Sequence, residues 1–423
     1  MMYQVSKLPH GLTVATGQMP HMSSVSLGIW VGVGSRHEPE DRNGVCHFIE
    51  HLLFKGTRKR TAHQISQAVE GIGGYLNAFT SEENTCFHAR ASHRHFEDLL
   101  EVLMDMLLHS RFVPEDVDKE REVVKEEVSM CLDEPQHLVQ EVLNALVWEG
   151  HPLGRPITGT FKSLDALKRP HLIDWLKHNY VTGTTVVVAT GRITHREVRR
   201  AVSRYAESLS RGEGCPFIPA VSRQEAPGLK LVTKKTEQTQ MALGIRTCSR
   251  HDRRRFALRL LNTMLGENMS SRLFQVIRED RGLAYSIYST PSFFADTGDL
   301  VISAGLDAEK LPEVIKLTIQ ELRRFREKPP SPSELRRARD YVIGQIELGS
   351  ESTEAQMNWL GEHLLGYRRI LSPAHFKSML RKISGAEIQA TARDFFRPDR
   401  LNLALVSPLK SCRHLEKPLR QLG

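Results

Sequence analysis

The sequence predicts an α+β fold: two structurally similar α/β sandwich domains, each a mixed, mostly antiparallel sheet with helices packed on it, joined by a linker. Three observations carry that expectation. The chain has 423 residues, enough for at least two cores at ~100–200 residues per domain. Its short strands are interrupted by helical pairs, without the regular strand–helix alternation of a parallel sheet. It also repeats itself weakly at an offset of about 216 residues. SLGIWVGVGSRHE from Ser26 returns as ALGIRTCSRHD from Ala242, and a Pro-broken pair of helices from Leu99 returns from Leu311.

In chain order, two short strands flank Pro9-His10-Gly11, so folding begins at the first residues. Period-2 alternation predicts strands over 25–32, 85–91, 184–190, 230–233, 241–247, 283–289, 299–304 and 401–406. Period-3.6 patterns predict helices over 43–55, 62–71, 95–109, 115–131, 163–178, 194–208, 256–265, 309–326, 332–349 and 354–367. The Gly- and Pro-rich segment 211–228 is the linker, which divides the chain into domains 1–210 and 229–423.

Apolar residues at 40% and charged residues at 26% exclude a disordered or fibrous chain. No apolar run reaches the ~18 residues of a membrane-spanning helix, and the start lacks a signal or transit pattern. The expectation is a cytoplasmic protein with no membrane partner. The six cysteines form no CxxC, so neither a disulfide framework nor a thiolate zinc site is expected. The net charge of +8 is concentrated late in the chain: residues 1–211 carry 24 basic against 26 acidic side chains, and residues 212–423 carry 34 against 24. Because the late arginines fall in amphipathic helical patterns without interleaved aromatics, solvated helix faces account for them and nucleic acid is not expected as a partner.

The chemistry is concentrated in two helices. His47-Phe48-Ile49-Glu50-His51 puts two imidazoles one turn apart on one helix face with Glu50 beside them, while Val45, Phe48, Ile49 and Leu52 turn toward a core. The helix is expected to open at Asn43 and close near Gly56. This H-x-x-E-H order is a metallopeptidase signature; the plain alternative is a surface helix with two histidines. In 115–131, Glu120 and Glu127 fall within an apolar arc of Val117, Val124, Val128 and Cys131. A carboxylate there needs a metal, a hydrogen bond or a basic partner. Two histidines and Glu127 make three donors with an open fourth position, the pattern of a catalytic rather than structural zinc. Glu50 would then be the proton acceptor for water attacking a peptide bond.

Further motifs carry a resemblance: GVGSRHE from Gly32, GVCHFIEHLLFKGT from Gly44, GGYLNAFTSEENT from Gly73, EREVVKEEV from Glu120, HPLGRPITGT from His151 and MSSRLFQVIREDRGLAYSIYS from Met269. Over nearly its whole length the chain resembles the insulinase/pitrilysin-type zinc metallopeptidases, which include the mitochondrial processing peptidase. It is most similar to their short, processing-peptidase-like bacterial members. The resemblance implies one Zn2+ per chain on His47, His51 and Glu127, Glu50 as general base, and Glu120 behind the metal site. It implies substrate binding along an edge strand holding Asn77, Ala78 and Phe79, and an Arg278/Tyr285 pair that reaches the substrate from the second domain. At the repeat offset, His47, Glu50 and His51 fall on Thr263, Gly266 and Glu267. The second domain therefore lacks the metal motif and is expected to close a substrate chamber. The implied function is a zinc metalloendopeptidase acting on peptides or unfolded polypeptides, bacterial and cytoplasmic rather than from the mitochondrial matrix. It is expected as a homodimer, or as a heterodimer with a homologue. The alternative is a catalytically idle, peptide-holding partner subunit.

Overall fold

The computed structural model describes residues 2–422. Eleven strands fall into two sheets. The first is built from β1 (Met2–Lys7), β2 (Thr13–Gln18), β3 (Ser24–Val31), β4 (Tyr75–Thr80), β5 (Thr85–Ser92) and β6 (Thr185–Gly191), in the order β1-β2-β6-β3-β5-β4. The second is built from β7 (Gly228–Thr233), β8 (Thr239–Arg246), β9 (Ala284–Phe293), β10 (Gly298–Leu306) and β11 (Leu401–Ser407), in the order β7-β11-β8-β10-β9. In each sheet a single parallel pair, β2 with β6 and β7 with β11, interrupts an otherwise antiparallel ladder. The mixed, mostly antiparallel plan expected from the sequence is present twice. Strands β4 and β9 are edges of their sheets, each with one side of its backbone unpaired by a neighbouring strand.

The compact units do not follow the division at 210 and 229. One unit comprises Met1–Ser129, Arg155–Ile218 and Glu347–Leu371; the other comprises Met130–Gly154, Pro219–Ile346 and Ser372–Gly423. Each sheet is covered on one face by helices of its own stretch of chain and on the other by a helix from the opposite stretch. In the first unit, helix Thr353–Tyr367 sets Met357, Leu360 and Leu364 against Ala15, Trp30, Val186 and Val188. In the second, helix Pro135–Val147 sets Val139, Leu143 and Val147 against Ala242, Ala404 and Val406. Burying the second face of a sheet is what local sequence cannot assign, since any apolar helix of the right length satisfies the hydrophobic effect.

The repeat has a packing role at this covered face. Gly28 of β3 and Gly244 of β8 occupy matching positions in SLGIW and ALGIR. A Cβ at Gly28 would strike Met357 Sδ, and one at Gly244 would lie 2.8 Å from Val147 Cγ2. Each glycine lets the covering helix approach its sheet.

Some elements differ from the sequence expectation. The span 163–178 is two helices, Phe161–Ala166 and Arg169–Asn179, separated at Leu167–Lys168 just before Pro170. Helices Pro135–Val147, Pro373–Lys382 and Gly385–Phe395 were not among those expected. No helix among the described residues is long and apolar enough to cross a membrane.

Candidate metal centre

Helix Val45–Leu53 buries Val45, Cys46, Phe48, Ile49, Leu52 and Leu53 and leaves His47, Glu50 and His51 on its remaining face. Cys46, beside the first histidine, is a core residue. The helix does not open at Asn43. Its N-cap is Gly44, at φ +91°, a left-handed conformation that favours glycine. Helix Pro114–Asp133 buries Val117, Val124 and Val128 together with Glu120, and presents Glu127 from the same arc, partly exposed.

The two helices bring the three expected donors together. One ligand atom from each of His47, His51 and Glu127 lies within 4.8 Å of the others, the only such trio of His, Cys, Asp or Glu among the described residues. His47 Nε2 is 3.6 Å from Glu127 Oε2, and His51 Nε2 is 3.6 Å from Glu127 Oε1. These distances are too long for hydrogen bonds. They match two donors on one tetrahedral zinc, which at ~2.0–2.2 Å from the ion stand about 3.4 Å apart. The residues therefore fit the metal: two imidazoles and a carboxylate converge without bonding to each other.

Around them most polar atoms are assigned; His47 Nδ1 is buried without a hydrogen-bond partner among the described residues. His51 Nδ1 donates to Glu120 Oε1 at 2.9 Å, and Lys55 Nζ holds the other Glu120 oxygen at 2.6 Å. With Nδ1 committed as a donor, neutral His51 has its Nε2 lone pair toward Glu127, the ligand tautomer. Burial acts to lower the His51 pKa, but the bond to Glu120 and the nearby Glu127 outweigh this and raise it. Burial tends to raise the Glu120 pKa, but the bonds from His51 and Lys55 outweigh it and hold the group below the usual carboxylate range. Burial, and secondarily the neighbouring His51, lowers the His47 pKa to about 4, which keeps it neutral at physiological pH. Burial also raises the Glu50 pKa, against the opposing bond from Thr80.

That bond was missed from sequence. Thr80 Oγ1 donates to Glu50 Oε2 at 2.6 Å, so the last residue of edge strand β4 touches the expected base. The signal was period 2: Ala78 and Thr80 share a face of β4. Asn77 and Phe79 lie on the opposite face, Phe79 edge-on to Trp30 at 5.5 Å. The three expected substrate-strand residues therefore divide between two faces, and only Ala78 shares the face of Thr80. Asn77 Oδ1 accepts from Ala78 N–H at 2.9 Å.

Arg278 and Tyr285 belong to the second unit. Arg278 sits in the turn of π-helix Phe274–Glu279 with its guanidinium carbon 5.7 Å from the centre of the Tyr285 ring, and Tyr285, the second residue of β9, is 74% exposed. The pair is in mutual contact, as a cation stacked on a phenol.

Comparison with known proteins gives the family. Residues 13–161 match the family described as Insulinase (Peptidase family M16), and residues 166–342 match that described as Peptidase M16 inactive domain. The chain belongs to peptidase family M16. A protein of Streptomyces coelicolor named as an uncharacterized zinc protease is 37% identical over 95% of this chain and 89% of its own length. One of the same description in Bacillus subtilis is 34% identical over 94% of this chain and 97% of its own length. In fold, this M16 chain matches a protease from Helicobacter pylori with a TM-score of 0.90 at 19% identity, covering 96% of this chain and 99% of the other. It matches a Pseudomonas fluorescens structure titled as a peptidase M16 inactive domain equally, with a TM-score of 0.90 at 18% identity over 97% and 99%. The M16 assignment accounts for both sheets, and the relatives' names agree with a zinc site.

Proposed function

We propose that this chain is a zinc-dependent endopeptidase that cleaves extended polypeptide segments, with one zinc held by His47, His51 and Glu127 and with Glu50 as general base. The observation that carries the reading is the convergence of those three donors within 4.8 Å, with each imidazole Nε2 3.6 Å from a Glu127 oxygen and not hydrogen-bonded to it. When bound, zinc supplies a Lewis acid that polarises a carbonyl and brings the pKa of a water to ~7. Glu50 takes the proton. One of its oxygens is held by Thr80, which fixes the carboxylate, and the other is left to accept from water and then donate to the leaving amine. Glu120 orients His51 through Nδ1, and Lys55 restrains Glu120 in turn.

The unpaired side of β4 supports an extended substrate. A peptide added there by main-chain hydrogen bonds would run along the strand that ends at Thr80, and such pairing tolerates varied sequence. In the proposal Arg278 and Tyr285 contribute a cation and a phenol to the substrate; their contact and the exposure of Tyr285 support availability. The test is digestion of a peptide library read by mass spectrometry, with and without chelator, on the chain alone and with any co-purifying homologue. Chelator-sensitive cleavage by the chain alone is expected. A metal-loaded chain that cleaves only with a homologue present would make it the idle, peptide-holding partner.

A further inference from the structure

Two motifs singled out by the sequence, GSRHE and HPLGRPITGT, have no part in the chemistry above, yet they meet at the start of the histidine helix. Gly44 has no side chain to cap that helix, and its first N–H groups point inward. Glu38, 1% exposed, fills the role from outside. Its Oε2 accepts from Gly44 N at 2.7 Å and from Asn43 Nδ2 at 3.0 Å, and its Oε1 accepts from Cys46 N at 2.9 Å. Both carboxylate oxygens are thus spent on the turn that precedes and includes His47.

Residues 155–167 hold this arrangement in place. Arg155 Nη2 donates to the Glu38 carbonyl at 3.0 Å, and Asn43 Nδ2 also donates to Pro156 O at 2.9 Å. Gly44 and Gly159 cross backbone to backbone; a Cβ on Gly44 would lie 2.8 Å from Thr158 O and one on Gly159 2.8 Å from Asn43 O. Farther along, the same segment grips the other donor-bearing helix. Arg121, buried on the Glu127 helix, donates through Nε to Leu164 O at 3.1 Å and through Nη2 to Leu167 O at 2.9 Å. One stretch of chain is bonded to the Glu127 helix and to Glu38 and Asn43, which lead into the histidine helix.

The second unit supplies an internal control. Its Ser-Arg-His-acid sequence ends in Asp252, which also reaches the start of its helix but accepts one backbone N–H there, that of the N-cap residue Arg254, and through one oxygen. Asp252 pairs at the surface with the Arg254 guanidinium and accepts from Arg254 N at 2.8 Å. The sequence motif survives there, and the buried two-oxygen cap is found in the unit that carries the histidines.

We propose that Glu38 is a positioning residue for the metal donors: by capping the histidine helix within a brace of residues 155–167 that also grips the Glu127 helix, it sets the separation of His47 and His51 from Glu127. This rests on the zinc-peptidase reading and extends it to how the trio is held ready. Glutamine at position 38 must turn its amide NH2 toward at least one N–H donor of the cap, whereas aspartate keeps the charge but falls one methylene short of spanning both.

The experiment measures zinc affinity of the folded full chain by competition with a chromophoric chelator, well below the melting temperature. Glu38→Gln is expected to bind zinc about 10–100-fold more weakly than the parent, the range for lost outer-shell support, with Glu38→Asp in between. Cobalt(II) loaded in place of zinc should show altered visible bands in Glu38→Gln, reporting changed donor geometry. Phe325→Leu, in the core of the second unit, should lower the melting temperature without moving zinc affinity. Should Glu38→Gln fail to fold, Glu38→Asp and Asn43→Ala carry the comparison. Folded Glu38 variants that bind zinc within about twofold of the parent, with an unchanged cobalt spectrum, overturn the positioning role and leave the peptidase reading standing. A parent chain that binds no zinc overturns both.

Discussion

Counted from its first residue, the helix after the central strand carries His47, Glu50 and His51 in the first unit and Ala257, Leu260 and Leu261 in the second. The constant offset of 216 residues instead puts Thr263, Gly266 and Glu267 in those places. The loop between strand and helix is shorter in the second unit, so the register moves. The three replacements are buried and apolar, and packing alone accounts for them. The polar groups nearby are satisfied among themselves: Arg259 forks onto Glu267, and Thr263 Oγ1 donates to Glu267 Oε2 at 2.6 Å. In the first unit the histidine helix instead presents donors that stop short of bonding each other. The same scaffold thus supports a closed polar cluster in one place and an open one, fitted to a cation, in the other.

The largest effect should come from breaking the open cluster chemically. Glu50→Gln is expected to lower kcat by about 10²–10⁴-fold while zinc content, read by atomic absorption, stays at the parent level. Parent-like turnover would remove Glu50 from the mechanism. Breaking the cluster structurally should look different. His51→Ala is expected to reduce zinc content to background and activity with it, whereas dialysis of the parent against chelator should abolish activity reversibly, with recovery on adding zinc.

The closed cluster should answer in stability alone. Glu267→Gln is expected to destabilise the chain by about 1–2 kcal/mol in urea unfolding, modest because the pair is only half buried, while the zinc content of the native variant stays at the parent level. Burial acts to raise the Glu267 pKa, but Arg259 outweighs it and the folded value lies below the ordinary one. A depressed carboxylate stabilises above its unfolded pKa of ~4.3 and loses that contribution as pH falls through the folded value. The difference between parent and Glu267→Gln should therefore be flat near neutrality and shrink in acid. A difference that grew in acid would contradict the assignment.

The smallest effects test the repeated glycines. Gly28→Ala should destabilise by about 1–3 kcal/mol through overpacking against Met357 and Trp30, and Gly244→Ala by about 1 kcal/mol, since its nearest approach, 2.8 Å to Val147 Cγ2, is less close than that of Gly28 to Met357 Sδ. Equal melting temperatures for Gly28→Ala and the parent would deny the covering helix its close approach.

Much of this was readable in the chain itself. Strong periodicity gave the strands around Leu27 and Leu243 and the helices bearing His47 and Glu127, because alternation and 3.6-residue spacing are local consequences of backbone geometry. The acids at 120 and 127 stood out because a carboxylate in an apolar arc demands a partner. Thr80 was hidden because a threonine at the end of a strand is ordinary until its hydroxyl is seen on Glu50. The helix start was misplaced for a related reason: Asn43 is a good local cap, but Glu38, six residues upstream of Gly44, arrives through a fold of the chain that no local pattern encodes.

By itself, the sequence determined the secondary-structure periods, which depend on spacing within a few turns of chain, and it pointed to the duplicated plan and to the identity of the converging donors through motifs. The tertiary structure alone decided which helix covers which sheet, since apolar burial is non-directional and helix Pro135–Val147 and helix Thr353–Tyr367 each close the sheet of the opposite stretch. It alone also decided how His47, His51 and Glu127 are spaced, because their helices are brought together by contacts between segments far apart in the chain, Arg155 to Glu38 being 117 residues apart.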